Sequence, residues 1–142
     1  MCLLADLVST LDSEMPFDWS EYLDLADWLA RNAGTDGLQV SAEAAQRSAA
    51  SRAYYSAFQS SMALLVRRRE YRPVGDGSDH GAVARAYQSH VAVARRQIGT
   101  WLDRLRDRRR RADYDSEMVN ASAMATASVS DARNVLTYLQ SQ

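Results

Sequence analysis

An all-α fold, an up-and-down bundle of four to five helices, is predicted by three features of this 142-residue sequence. Apolar residues recur at three- and four-residue spacing through every long segment, and no segment alternates with the period of two that a half-buried strand requires. Only two prolines and six glycines interrupt the chain. The length suits one domain around a single core.

Residues 1–15 read as an N-terminal arm or short helix, and residues 16–142 as the helical domain. The first helix follows Pro16, with Asp18 as its cap. Trp19, Tyr22, Leu23, Leu25, Ala26 and Leu29 form an amphipathic pattern that ends near Asn32-Ala33-Gly34. After the loop Gly34-Thr35-Asp36-Gly37, Ser41 caps a long helix running to about Arg69. Ala50, Tyr54, Ala57, Phe58, Ser61 and Leu65 share one face of it, while Tyr55, Met62 and Val66 form a second strip. Two apolar strips place this helix at the centre of the bundle. Residues 73–81 read as a loop, with Ser78 or Asp79 capping the next helix. The pattern Val83, Tyr87, Val91, Ala94, Ile98, Trp101, Leu102, Leu105 is helical throughout, but one helix of that length is uncommon, so two helices broken between Gln88 and Arg96 are expected. The last helix follows Asp115-Ser116-Glu117 and carries Met124, Ala127, Ala132, Val135, Leu136 and Leu139.

Charge is distributed unevenly beneath a net value of -1. Residues 1–46 hold nine acids and one arginine, residues 47–111 fifteen arginines and five acids, and residues 112–142 four acids and one arginine. Every basic side chain is arginine, which codon bias accounts for before phosphate recognition does, although the planar guanidinium also suits phosphate. No apolar run approaches the roughly 20 residues of a membrane span. Met1–Ala5 lacks a basic flank and does not read as a secretory signal. One cysteine leaves no internal disulfide and fits a reducing cytoplasm.

The densest basic segment, Arg104 to Arg111, divides on a helical wheel. Ile98, Trp101, Leu102 and Leu105 continue to Arg109 and Ala112, so Arg109 lies on the core-facing stripe. Arg104, Arg106, Arg110 and Arg111 point elsewhere and read as a solvated face, partly balanced by Asp103 and Asp107. An inward arginine cannot lose its charge and must meet a carboxylate, a carbonyl or a water-lined cleft. Arg109 therefore has two readings: a structural pair with Asp113 at i,i+4, which spacing ranks first, or a site arginine lining a groove. Arg52, opposite the main stripe of its own helix, either joins that groove or pairs with an acid of the first helix.

The string Arg47-Ser48-Ala49-Ala50-Ser51-Arg52-Ala53-Tyr54-Tyr55-Ser56-Ala57-Phe58, followed by Met62-Ala63-Leu64-Leu65, resembles the second helix of HEPN-domain proteins. Arg109-Arg110-Arg111-Ala112-Asp113-Tyr114 resembles the Arg-x-x-Ala-Asp-Tyr ending of a later helix in one small prokaryotic HEPN branch. His80, beginning a helix ahead of that motif, fits as well. The resemblance covers nearly everything from residue 16 onward. It implies a HEPN-like helical bundle, usually a homodimer, in a family that includes metal-independent endoribonucleases of toxin/antitoxin and antiviral defence systems. Many members are encoded beside a nucleotidyltransferase antitoxin that restrains them. No cofactor is implied.

In active members an Arg-x(4-6)-His motif from each protomer meets across the dimer, the arginine holding the scissile phosphate and the histidine moving a proton from the 2′-hydroxyl. By resemblance Arg109 contacts phosphate, with Arg52, Arg110 and Arg111 as further RNA-binding groups and Asp113 as support. Tyr114 stands in the histidine position. A phenol with an unperturbed pKa near ~10 is a poor base at neutral pH. Tyr114 then orients or stacks RNA, accepts a nucleotidyl group, or packs its ring in the core. The alternative function is a non-catalytic HEPN module that binds a nucleotidyltransferase or nucleic acid.

Other signals are weak. His80 and His90 lack neighbouring ligands at metal spacing, so no metal site is expected, and His80 reads as a cap or packing residue. Asp76-Gly77-Ser78-Asp79 lacks the ligand ladder of a cation loop. Cys2 has no base beside it.

Overall fold

The computed structural model describes residues 16–142, so the expected arm over residues 1–15 and Cys2 lie outside the described residues. Among the described residues five helices follow in order: α1 Ser20–Asn32, α2 Ala42–Arg67, α3 Ser78–Gln88, α4 Val93–Tyr114 and α5 Ala121–Gln140. There is no strand among the described residues. The expected all-α bundle is what the chain forms, with the third and fourth helices separated at residues 89–92.

The helix ends follow local chemistry. The capping position of α1 falls on Trp19, one residue after the expected Asp18, and carries no side-chain cap, although Asp18 Oδ1 accepts from the Ser20 amide at 3.0 Å. Ser41 Oγ accepts from the Ala44 amide at 3.1 Å and starts α2. That helix stops at Arg67, slightly before the expected Arg69, because Arg69 adopts a left-handed φ of 58°. Asn120, also left-handed, caps α5 by accepting from the Ala123 amide.

The loop expected over residues 73–81 is shorter, since α3 already begins at Ser78. Neither Ser78 nor Asp79 is its cap. Asp76 Oδ1 takes the Ser78 amide at 2.8 Å, while the Asp79 carboxylate turns back and accepts from the amides of Val74 at 2.9 Å and Gly75 at 2.8 Å. The acid that looked like a helix cap is instead the clasp of the preceding loop.

α2 packs against α1, α4 and α5, and α3 lies on α4. The centre of α2 is rich in small residues, with Ala49, Ala50, Ala53, Ala57, Ser56 and Ser61 all buried, so neighbouring helices approach its backbone closely. Tyr54, Leu65, Val83, Tyr87, Ile98, Leu105 and Val135 fill the space between. Of the second α2 strip, Tyr55 and Met62 pack against this core and Val66 is exposed. The α3–α4 crossing is tightest at Gly99, where a Cβ would stand 2.8 Å from the Gln88 backbone nitrogen. Glycine is required there by space.

Candidate functional site

The C-terminal half of α4 is locked to the N-terminal half of α2. Arg47 Nη1 donates to the Ala112 carbonyl at 3.0 Å and to the Asp115 carbonyl, two groups that the helix end leaves without intrahelical partners. The Arg47 guanidinium is also paired with Glu43 at 3.0 Å. Ser51 Oγ donates to Asp113 Oδ2 at 3.3 Å. These contacts fix the register in which Arg109 meets α2.

Arg109 is 9% exposed, in keeping with its place on the inward stripe. Its Cζ lies 5.4 Å from the ring centre of Tyr54 and 5.8 Å from that of Tyr55, within the range of cation–π attraction. The carboxylate expected to pair with it, Asp113, approaches only to 3.8 Å and shares its oxygen with Ser51. The Arg109 Nε–H is buried with no hydrogen-bond partner among the described residues. A buried guanidinium with an idle donor is costly unless something else binds it.

Tyr54 carries the site onward to α3. Its hydroxyl meets His80 Nδ1 at 2.5 Å, and the His80 ring stacks on Phe58 at 4.4 Å between centroids. Burial pushes the Tyr54 hydroxyl far above the ordinary tyrosine range, so it stays protonated. Burial, helped by the charges of Arg109 and Arg106, holds His80 below its ordinary value of 6.5. At neutral pH the imidazole is therefore uncharged, and its second ring nitrogen is left to accept or donate one proton. Arg106 reaches this end of α3 because Gly81 has no side chain. A Cβ there would stand 3.3 Å from Arg106 Nη1.

The sequence-predicted residues separate into two groups. Arg109, Asp113 and Arg52 converge, Arg52 through stacking rather than an acid: its Cζ lies 4.8 Å from the Tyr22 ring and 5.2 Å from the Tyr55 ring. Tyr55 thus sits between two guanidinium groups. Tyr114 is 77% exposed and, with Arg110, Arg111 and Asp107, lines a separate shallow groove at the end of α4. Its ring is not packed in the core. Arg111 pairs with Asp107 at 3.2 Å, as expected of a solvated face.

Three members of the cluster were not predicted as site residues. Tyr54 reads as core from its stripe, His80 as a cap, and Arg106 as surface. Arg106 had a usable signal, since it stands three residues before Arg109 and so neighbours it on the helix. His80 had only its fit to the family resemblance, because its place beside Tyr54 depends on how α3 lies against α2. Among the described residues no three potential metal ligands gather, and no helix is long and apolar enough to cross a membrane.

No protein-family model matches the chain, and no curated protein or solved structure matches it either.

Proposed function

We propose that this chain is a HEPN-type, toxin-like protein that acts on RNA, with Arg109 as its phosphate-binding group. The observation that carries the reading is the buried Arg109 guanidinium, whose Nε–H has no partner and whose nearest carboxylate stands at 3.8 Å among the described residues. A phosphate supplies the acceptor oxygens that this arginine lacks, in the bidentate geometry it favours. Arg52 and Arg106 add positive charge on either side. The resemblance of the Arg47–Phe58 and Arg109–Tyr114 segments to HEPN proteins supports the same reading, together with a homodimer and a nucleotidyltransferase antitoxin partner.

Metal-independent cleavage of RNA needs a group that takes the 2′-hydroxyl proton while the arginine neutralises the phosphate. His80, uncharged at neutral pH and oriented by Tyr54, fits that task better than the solvent-exposed Tyr114. The second reading, a non-catalytic module binding nucleic acid or a nucleotidyltransferase, is favoured by the tyrosine in the histidine position of the Arg109 motif. Arg110 and Arg111, exposed beside Tyr114, then serve as a docking face.

Incubation with total RNA in EDTA separates these readings. Cleavage that persists in EDTA and disappears in both Arg109→Met and His80→Gln, with helicity retained by circular dichroism, is the expected result for a nuclease. Salt-sensitive RNA retention without cleavage selects the binding module. If the protein neither retains nor cleaves RNA, the RNA reading is wrong.

A further inference from the structure

A groove of about 350 Å³ opens between the C-terminal ends of α2 and α5 and the chain entering α1 at Pro16. Ala63, Leu136 and Leu139 line it and are only half-buried. Phe17, 48% exposed, also lines it and is held against the rings of Trp19 at 4.9 Å and Tyr22 at 5.3 Å. We propose that this groove is the seat of residues 1–15 of the same chain, which enter it through Leu4, Leu7, Val8, Leu11 and Met15. The groove shares no lining residue with the Arg109 cluster, and its occupancy is independent of the RNA reading.

Four observations converge on this occupant. Residues 1–15 join the described chain at Pro16, itself a wall of the groove, so the segment begins where its seat begins. A segment tethered there is present at an effective concentration on the order of millimolar, which favours it over a separate partner. Its apolar residues are spaced for one docking face: Leu4, Leu7, Val8, Leu11 and Met15 recur at three- and four-residue steps, while Asp6, Ser9, Thr10 and Ser13 fall on the opposite side of the same helical wheel. The length is sufficient, since at the helical rise residues 4–15 cover roughly 18 Å and the α2 wall from Ser60 to Arg67 roughly 10 Å. Charge matches as well. The segment holds Asp6, Asp12 and Glu14 and no basic side chain, whereas Arg67 lines the groove, exposed and without a salt bridge among the described residues. Asp18, the acid of the lining, already accepts from the amide and the hydroxyl of Ser20.

The test uses the full chain with a nitroxide on Cys2, the one cysteine of the sequence, which falls on the polar side of that wheel and leaves the apolar stripe untouched. In nuclear magnetic resonance spectra the amide signals of Ala63, Arg67, Leu136 and Leu139 should be broadened several-fold relative to the reduced label. Those of Arg47 and Ser48, about four turns of α2 from the groove, should keep their intensity. Leu7→Asp should abolish the pattern and lower the melting temperature by roughly 5 °C, with the helicity of the bundle retained by circular dichroism. Arg67→Glu, at an exposed position that cannot unfold the core, should weaken the broadening, and Asp6→Asn on the polar side should leave it unchanged. Broadening that is spread evenly, centred on another face, or unaltered in Leu7→Asp overturns the seat. Broadening of the groove in isotope-labelled protein without nitroxide, mixed with nitroxide-labelled protein, assigns the occupant to a second copy and overturns docking within one chain.

Discussion

Helix α4 buries two arginines, and their surroundings differ. Arg95, 3% exposed, forms a 2.5 Å bond to Glu70, whose carboxyl it holds below the usual carboxylate range. Arg109, about four turns further on, has aromatic faces beside it, a carboxylate at 3.8 Å and an idle Nε–H. Both guanidiniums incur the same kind of desolvation cost. Only one recovers it within the fold. The proposal that Arg109 binds phosphate rests on this difference in pairing, since a buried charge with incomplete internal compensation contributes less to stability than one in a close pair.

Stability measurements should reproduce the contrast. Arg95→Ala removes the partner of Glu70 and the packing of a long side chain. It should lower the unfolding free energy in urea by about 2 kcal/mol, below the usual range for buried-pair deletions because Glu70 is partly exposed. Arg109→Met deletes a charge with little internal compensation and should leave stability within about 1 kcal/mol of the parent, or raise it, while RNA retention falls. A larger loss for Arg109→Met than for Arg95→Ala makes Arg109 structural and removes the contrast.

A smaller effect comes from His80. Its folded-state pKa is lowered, so between that value and the ordinary 6.5 the unfolded chain binds more protons than the folded one. Stability contributed by the neutral ring is therefore present above about 6.5 and declines as pH falls below it. The melting temperature should drop between pH 7.5 and 5.5, and His80→Gln should flatten that slope. The lowered carboxyls of Asp18, Glu70, Asp76 and Asp79 also stabilise above their ordinary values, but they lose that contribution only in the more acidic range, outside this window. An unchanged slope in His80→Gln places the titrating group elsewhere.

Much of the helix plan was legible because it is local. Three- and four-residue apolar spacing marked α1, α2, α4 and α5, and Ser41 named its own helix start. The α3 boundary was missed because Asp79 has the same composition whether it caps a helix or clasps a loop. Its partners, Val74 and Gly75, are chosen by the path of the backbone. Arg52 was read as either joining the Arg109 groove or pairing with an acid of α1, and it lies on the rings of Tyr22 and Tyr55, the second of which Arg109 also meets. Charge patterning names opposite charges and is blind to aromatic faces.

Periodicity alone put Arg109 on the inward stripe of its helix, since a wheel position follows from spacing within one segment. Which groups surround that arginine was decided by tertiary structure. Tyr54 comes from α2, His80 from α3 and Asp113 from α4 itself, and they meet because small residues along α2 and Gly99 in α4 let these helices pack closely. The same packing leaves Tyr114 at the outer end of α4, facing solvent. A sequence fixes the face on which a side chain stands, whereas the identity of its neighbours across that face depends on helix crossings that no single segment encodes.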